Sequence, residues 1–393
     1  LFALYQFRRQ SGDAFHQAIQ EPLAVILASP SFLYLSEPVG GQDKKRLTDL
    51  ELAVRLSYFL WSGPPDEELY RVARQGRLSR SKVLRAQTDR MLGDPKAWEF
   101  VSGFTHQWLQ MERLDFFQFN YRRYGEFDES VKAAARNEVY HTVATLIDDD
   151  LRIGKLLKSD FVVINDLLAN YYGIDGVKGH HFRRVNLPSD SPRGGLLATA
   201  AVLAMGSDGE RSSPVERGAW VMRKILHDPP PPAPANVPQL SRLADKMLPA
   251  RKLQSAHMEE PQCAQCHRKI DPIGYGLENF DAAGRWRDQE MVAATQKKAG
   301  NKVVSFPIDA SGKLPGGAMF ANYFELRDQV AKVENAFSQG LTESLIAYGL
   351  GRPFAFSDAE LAAKIAQSAA DNDRRFRGFI HGLVQSDEFA SKR

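Results

Sequence analysis

The stretch from residue 48 to residue 66, TDLELAVRLSYFLWSGPPD, shows the pattern that decides the fold. Thr48 and Glu51 have the spacing of a capping box, in which each side chain satisfies a backbone N–H at a helix start. The apolar residues that follow at helical spacing are Leu52, Leu56, Phe59 and Leu60. Pro64 and Pro65 then end the helix, because proline has no N–H to donate.

The same order of polar cap, helix and turn recurs outward from this stretch. Further helix starts are predicted at Asp66, at Ser79 or Ser81 for a helix that runs to Met91, and at Asp94, Asp128 and Ser213. Additional helices are predicted over residues 253–260, 325–340, 341–350, 359–369 and 374–384. Only residues 302–308 alternate like a strand, as half of a small hairpin. The sequence therefore predicts a mainly α fold.

Composition limits the classes of function. The chain has 393 residues, of which 43% are hydrophobic, and this length favours two or three globular domains. A net charge of +3 with 25% charged residues does not indicate a basic face for nucleic acid. The longest apolar stretches, Pro22–Leu27 and Leu196–Met205, fall short of the roughly 20 residues that span a bilayer. We therefore expect neither a nucleic-acid partner nor a transmembrane segment.

A proline-rich segment divides the chain. Residues 228–238 contain Pro229 to Pro232, Pro234 and Pro238, and such a run favours an extended polyproline-II spacer over a helix. We predict a helical N-terminal domain over residues 1–227, as one unit or two subdomains. A linker over 228–238 and a C-terminal domain over 239–393 follow. A ligand for a proline-binding partner is the alternative interpretation of this segment.

The C-terminal part contains the only two cysteines of the chain, in the sequence Cys263-Ala264-Gln265-Cys266-His267. The pattern C-x-x-C-H is typical of c-type haem attachment. Two thiols at this spacing reach the two vinyl groups of one porphyrin, and the adjacent histidine can ligate the iron. We therefore predict one covalent haem c, held by Cys263, Cys266 and His267, followed by a loop over residues 271–284.

Three other interpretations of the cysteine pair stay open. A redox-active dithiol normally lies in a βαβ context, which this helical pattern does not offer. A zinc site could take both cysteines with His257 and His267, although the spacing differs from that of zinc fingers. The third interpretation is a disulfide or two structural thiols.

The segment from residue 257 to residue 287 resembles the haem-attachment module of large exported cytochrome-c-like proteins abundant in planctomycetes. Those proteins are built from consecutive domains of unknown function. The resemblance extends along the chain through the motifs at residues 56–66, 90–94, 107–109, 171–174, 193–197, 213–218 and 348–352. It implies an exported mono-haem c-type cytochrome, periplasmic or extracellular. One departure is Met258, where the family usually has arginine.

Several residues around the motif are candidates for tuning the iron. Asp271 and the carbonyl groups around Pro272 are the nearest candidates to orient His267 through its second ring nitrogen, unless Asp271 only caps the turn before Pro272. Met319 is one candidate for the sixth ligand and His257 is the alternative; an open position is the third possibility. The candidates for holding haem propionates are Arg268, Arg285 and Arg287.

The expected activity is electron transfer with a redox partner protein, because an iron with two protein ligands has no position for substrate. One alternative is a haem redox enzyme, peroxidase- or oxidase-like, with an open distal site. The resemblance also implies a second alternative, a polysaccharide-associated binding protein that carries a haem module. The sequence does not indicate the oligomeric state.

Overall fold

The computed structural model describes residues 1–33, 46–232, 247–258, 261–293 and 303–392. Within these ranges the chain is mainly helical with short strand pairs, which confirms the predicted fold class. None of the described helices combines the length and apolar character that a membrane span requires.

The α-helices of the described ranges follow in chain order. They are α1 (Phe2–Gln10), α2 (Phe15–Leu27), α3 (Pro30–Leu33), α4 (Asp49–Trp61), α5 (Glu67–Arg74), α6 (Ser81–Leu92), α7 (Trp98–Leu109), α8 (Tyr121–Tyr124), α9 (Glu129–Asp148), α10 (Asp166–Tyr172), α11 (Ala200–Met205), α12 (Pro214–Lys224), α13 (Ala250–His257), α14 (Pro261–Tyr275), α15 (Tyr323–Val330), α16 (Glu334–Leu350), α17 (Ala359–Asp371) and α18 (Phe376–Val384).

Three antiparallel strand pairs lie between helices. Strand β1 (Phe161–Ile164) pairs with β2 (Arg183–Asn186), β3 (Gln289–Ala293) with β4 (Val303–Pro307), and β5 (Gly312–Lys313) with β6 (Met319–Phe320). The β3–β4 pair confirms the predicted hairpin, since β4 falls within residues 302–308. The other two pairs were not predicted.

Most of the predicted helix starts are confirmed. The Thr48 hydroxyl accepts a hydrogen bond from the Glu51 amide at 3.3 Å, and the Glu51 carboxylate accepts one from the Thr48 amide at 2.8 Å. The side chains of Asp66, Asp128 and Ser213 also cap α-helix starts, and that of Asp94 caps the 3₁₀ turn Pro95–Ala97, which leads directly into α7. The helix predicted to start at Ser79 or Ser81 and to run to Met91 is present as α6, which begins at Ser81. Neither serine caps it, because Arg80 occupies the cap position and its side chain makes no capping bond.

Helix α14 continues further than predicted. The expected loop began at Asp271, but the helix runs through Pro272 to Tyr275. Ile270 and Ile273 on this turn are buried in the hydrophobic core. Their burial offsets the backbone hydrogen bond that Pro272 cannot donate, and the helix therefore persists past the proline.

Helices α12 and α14 cross in direct backbone contact. A Cβ atom on Gly218 of α12 would overlap the carbonyl oxygen of Ile270, and one on Gly274 of α14 would overlap that of Pro214. Apolar side chains from both sides of residues 228–238 share one hydrophobic core. The division into domains at this segment stays a prediction, and residues 233–238 lie outside the described part.

Candidate functional site

The cysteine motif forms the first turns of α14. Proline is favoured at a helix start because its missing N–H has no partner there, and Pro261 takes this place. Cys263 and Cys266 are three residues apart, so their side chains lie on the same face of the helix. Both thiols are half-buried, and Cys266 packs against the core. The two thiols therefore stand side by side at the partly exposed start of the helix.

His267 is held by a carboxylate one turn further along α14. Its Nδ1 lies 2.9 Å from Oδ1 and 3.1 Å from Oδ2 of Asp271. The Asp271 side chain is completely buried, whereas 17% of the His267 side chain is exposed. A neutral imidazole with its proton on Nδ1 donates to this carboxylate, which leaves Nε2 as the ligating nitrogen. The structure thus brings together the motif histidine and the carboxylate named from the sequence.

Tyr275 ends the same helix and lies near this carboxylate. Burial first, and then the negative charge of Asp271, raise the pKa of Tyr275 to about 12. The guanidinium of Arg251 lies 4.5 Å from the centre of the Tyr275 ring. This phenol therefore stays protonated at neutral pH.

The three arginines named as propionate partners lie in different surroundings. Arg268 is exposed on α14. Arg285 is exposed on the following loop and forms an ion pair with Glu126. Arg287 donates to the Glu278 carboxylate at 3.0 Å and to Ser212 Oγ at 2.9 Å. Arg287 is therefore already engaged within the chain, and the propionate role of all three stays a prediction.

The structure leaves the identity of the sixth ligand open. Met319 lies in β6 with 68% of its surface exposed, while the neighbouring Phe320 is buried. His257 ends α13, and its side chain lies outside the described residues. The choice between Met319, His257 and an open position stays a prediction.

Two buried arginines for which the sequence predicted no role hold the loop after α14. Arg217 of α12 donates to the carbonyl oxygens of Leu277 at 2.9 Å and Phe280 at 2.7 Å. Arg193 donates to the carbonyl oxygen of Gly284 at 2.8 Å. Burial lowers the pKa of Arg217 to about 10, so it remains charged at neutral pH. The sequence indicates the position of Arg217 on the inner face of α12, because it lies four residues before the apolar Val221, and residues at this spacing share a helix face.

Three family matches cover most of the chain. Residues 47–174 match the family described as a protein of unknown function (DUF1592), 193–290 match DUF1588 and 316–389 match DUF1585, described in the same words. The middle match contains the cysteine motif and both buried arginines. No curated protein and no solved structure matched the chain.

These matches define the chain as a helical protein with three consecutive domains of unknown function. This is the architecture of the planctomycete-type cytochrome-c-like proteins, and it confirms the resemblance at that level. The family descriptions assign no activity.

Proposed function

We propose that this chain is an exported c-type cytochrome that carries one haem and transfers electrons to or from a partner protein. The observation that carries the proposal is the donor set on α14: Cys263 and Cys266 lie on one face, and His267 follows with its Nδ1 bound to Asp271. Two adjacent thiols and an oriented imidazole fit the chemistry of covalent haem attachment. When bound, the haem supplies a one-electron exchange between ferrous and ferric iron.

The protein residues fix how this donor set would behave. Asp271 keeps the proton of His267 on Nδ1, so Nε2 is the atom that would ligate iron. The buried carboxylate makes the imidazole more electron-rich, which would favour ferric iron and lower the reduction potential of a bound haem. Arg217 and Arg193 hold the loop that follows α14, and the crossing with α12 fixes the helix itself. The donor set is thus placed on a rigid element.

The same carboxylate favours a second candidate function. An electron-rich histidine with a carboxylate partner is the arrangement found in peroxidase-type sites, where the sixth position is open. A haem redox enzyme is therefore the alternative to electron transfer. The two differ in one property, which is whether a protein side chain occupies the sixth position.

Haem attachment is tested by denaturing electrophoresis with haem staining after export into a compartment with haem-ligation machinery. We expect one covalent haem per chain in the wild type and none in Cys263→Ser/Cys266→Ser. Gln265→Ser changes the exposed residue between the cysteines and serves as the matched control that keeps the signal. Haem staining that persists in the double variant rules out the proposal. Equal holo-protein yield from the cytoplasm without that machinery counts against export.

The spin state of the ferric protein separates electron transfer from catalysis. A six-coordinate low-spin spectrum supports electron transfer, whereas a high-spin spectrum with rapid cyanide binding supports the enzyme. If Met319 ligates, the ferric protein shows a sulfur-to-iron charge-transfer band in the near infrared, and Met319→Ala becomes high-spin while His257→Ala stays low-spin. The reverse pattern identifies His257 as the ligand.

A further inference from the structure

A cleft of about 820 Å³ lies between the first two family segments, and part of its lining is the loop that follows α14. Three stretches line it: the end of α10 with the following turn (170–175), residues 186–193, and the loop 281–286. We refer to it as the intersegment cleft. Its volume falls within the range of about 300 to 1,000 Å³ that is typical of small-ligand sites.

The floor of the intersegment cleft is aromatic and fixed in place. The Tyr171 hydroxyl donates to the carbonyl oxygen of Ala283 at 2.9 Å, and the Tyr172 hydroxyl donates to the buried carboxylate of Glu138. Trp286 packs edge-on against Phe280, with ring centres 5.2 Å apart. Such a floor needs little rearrangement to receive a ligand.

The cations of the cleft are already compensated by the protein. Arg193 lies 3.7 Å from the centre of the Tyr172 ring and donates to the carbonyl oxygens of Ala198 and Gly284. Arg285 lies 5.1 Å from the centre of the Tyr171 ring and is paired with Glu126. An anionic ligand would have to displace these contacts. An organic cation would compete with these guanidinium groups, because one already lies over the ring of each tyrosine.

The rim of the cleft carries side chains suited to hydroxyl groups. The carboxylates of Asp175 and Asp190 are exposed and have no hydrogen-bond or ion-pair partner among the described residues. The exposed amides of Asn170 and Asn186 can both donate and accept. Hydroxyl groups also donate and accept, so they can form hydrogen bonds with both the carboxylates and the amides. The C–H face of a sugar ring is apolar and can stack on the ring of Trp286.

From this lining we infer that the intersegment cleft binds a neutral, hydroxyl-rich ligand of the saccharide class, with Trp286 as the stacking platform. Asp175 and Asp190 accept hydrogen bonds from its hydroxyl groups. The inference does not use Cys263, Cys266 or His267, so it does not depend on haem being bound. The propionate candidate Arg285 lines the cleft but is already paired with Glu126.

Isothermal titration calorimetry of the full chain with cellotetraose and maltotetraose tests the inference. We expect at least one of these neutral tetrasaccharides to bind, and Asp190→Ala to weaken that binding about tenfold, the usual loss for a hydrogen bond to a charged group. Trp286→Ala should abolish it. Asp371→Ala removes an exposed carboxylate at the end of α17 and is the matched control that leaves binding unchanged.

Four results would overturn the inference. These are no binding of either neutral tetrasaccharide, tighter binding of tetragalacturonate, tighter binding of the cationic glucosamine tetramer, and neutral binding that is unaffected in both Asp190→Ala and Trp286→Ala. Trp286→Ala also removes packing against neighbouring rings. If the Trp286→Ala protein does not fold, the binding measured for Asp190→Ala alone decides the test. Repeating the titration with Cys263→Ser/Cys266→Ser separates failure of this inference from failure of the haem proposal.

Discussion

Two histidine–aspartate pairs in this chain use the same chemical groups in opposite ways. In the pair on α14, the imidazole of His267 is partly exposed and the carboxylate of Asp271 is completely buried. In the pair between α18 and α6, the His381 side chain is only 4% exposed, whereas 39% of the Asp89 side chain is exposed. In the first pair the carboxylate is buried and the imidazole is partly exposed, whereas in the second pair the imidazole is buried and the carboxylate is partly exposed.

The nitrogen that meets the carboxylate also differs. His267 uses Nδ1, which orients Nε2 for a ligand, whereas His381 uses Nε2 at 2.8 Å and keeps Nδ1 buried. His381 Nδ1 has no hydrogen-bond partner among the described residues. Burial lowers the pKa of His381, more than the charge of Asp89 raises it. Burial and the choice of nitrogen, rather than residue identity, therefore separate a candidate ligand from a histidine that joins two helices.

The helices that carry these histidines differ in whether a glycine on them leaves room for an added methyl group. Gly274→Ala on α14 would place a Cβ against the Pro214 carbonyl oxygen, so we expect the free energy of unfolding to fall by about 3 kcal/mol. Gly378→Ala on α18 meets only Ala369, at 4.0 Å, so we expect a gain of about 0.5 to 1 kcal/mol from better helix propensity. Chemical denaturation measures both values.

These two variants are matched, because each adds one methyl group inside a helix. Opposite signs of the two changes support the backbone crossing of α12 and α14. A Gly274→Ala protein as stable as the wild type would contradict the close contact of these helices.

The carboxylates of the two pairs provide the second test. In the haem-loaded protein, Asp271→Asn makes His267 a poorer electron donor, so we expect the reduction potential to rise by about 60 to 120 mV. This corresponds to a ten- to hundredfold change in relative ferric stability. Asp89→Asn alters the pair that does not ligate iron, and we expect it to leave the potential unchanged. A redox titration that gives equal potentials for Asp271→Asn and the wild type would contradict the role of Asp271.

Features that depend on neighbours in sequence could be predicted from the sequence alone. The caps at Asp66, Asp128 and Ser213 were correct because a capping side chain bonds to an amide two or three residues later. The proximity of Asp271 to His267 has the same origin, since residues four apart meet on a helix.

Features that depend on distant contacts could not be predicted. The Asp49 carboxylate of α4 accepts hydrogen bonds from the amides of Leu78 and Ser79, which leaves Arg80 as the residue before α6. The carbonyl oxygens that Arg217 binds lie some sixty residues further along the chain. Strand β1 is a short run of buried apolar residues, and such a run does not by itself distinguish a strand from a helix.

The smallest expected effect concerns the pH dependence of stability at His381. Since burial lowers its pKa below the ordinary value of 6.5, the unfolded chain takes up this proton at a higher pH than the folded chain. The free energy of unfolding should therefore fall as the pH drops below 6.5, by less than about 1.4 kcal/mol per pH unit. His381→Gln keeps an N–H donor for Asp89 but does not titrate, so its unfolding free energy should lack this component between pH 8 and pH 5. Because all other groups are common to both proteins, the difference between the two denaturation series isolates this histidine, and parallel curves would mean that its proton does not oppose folding.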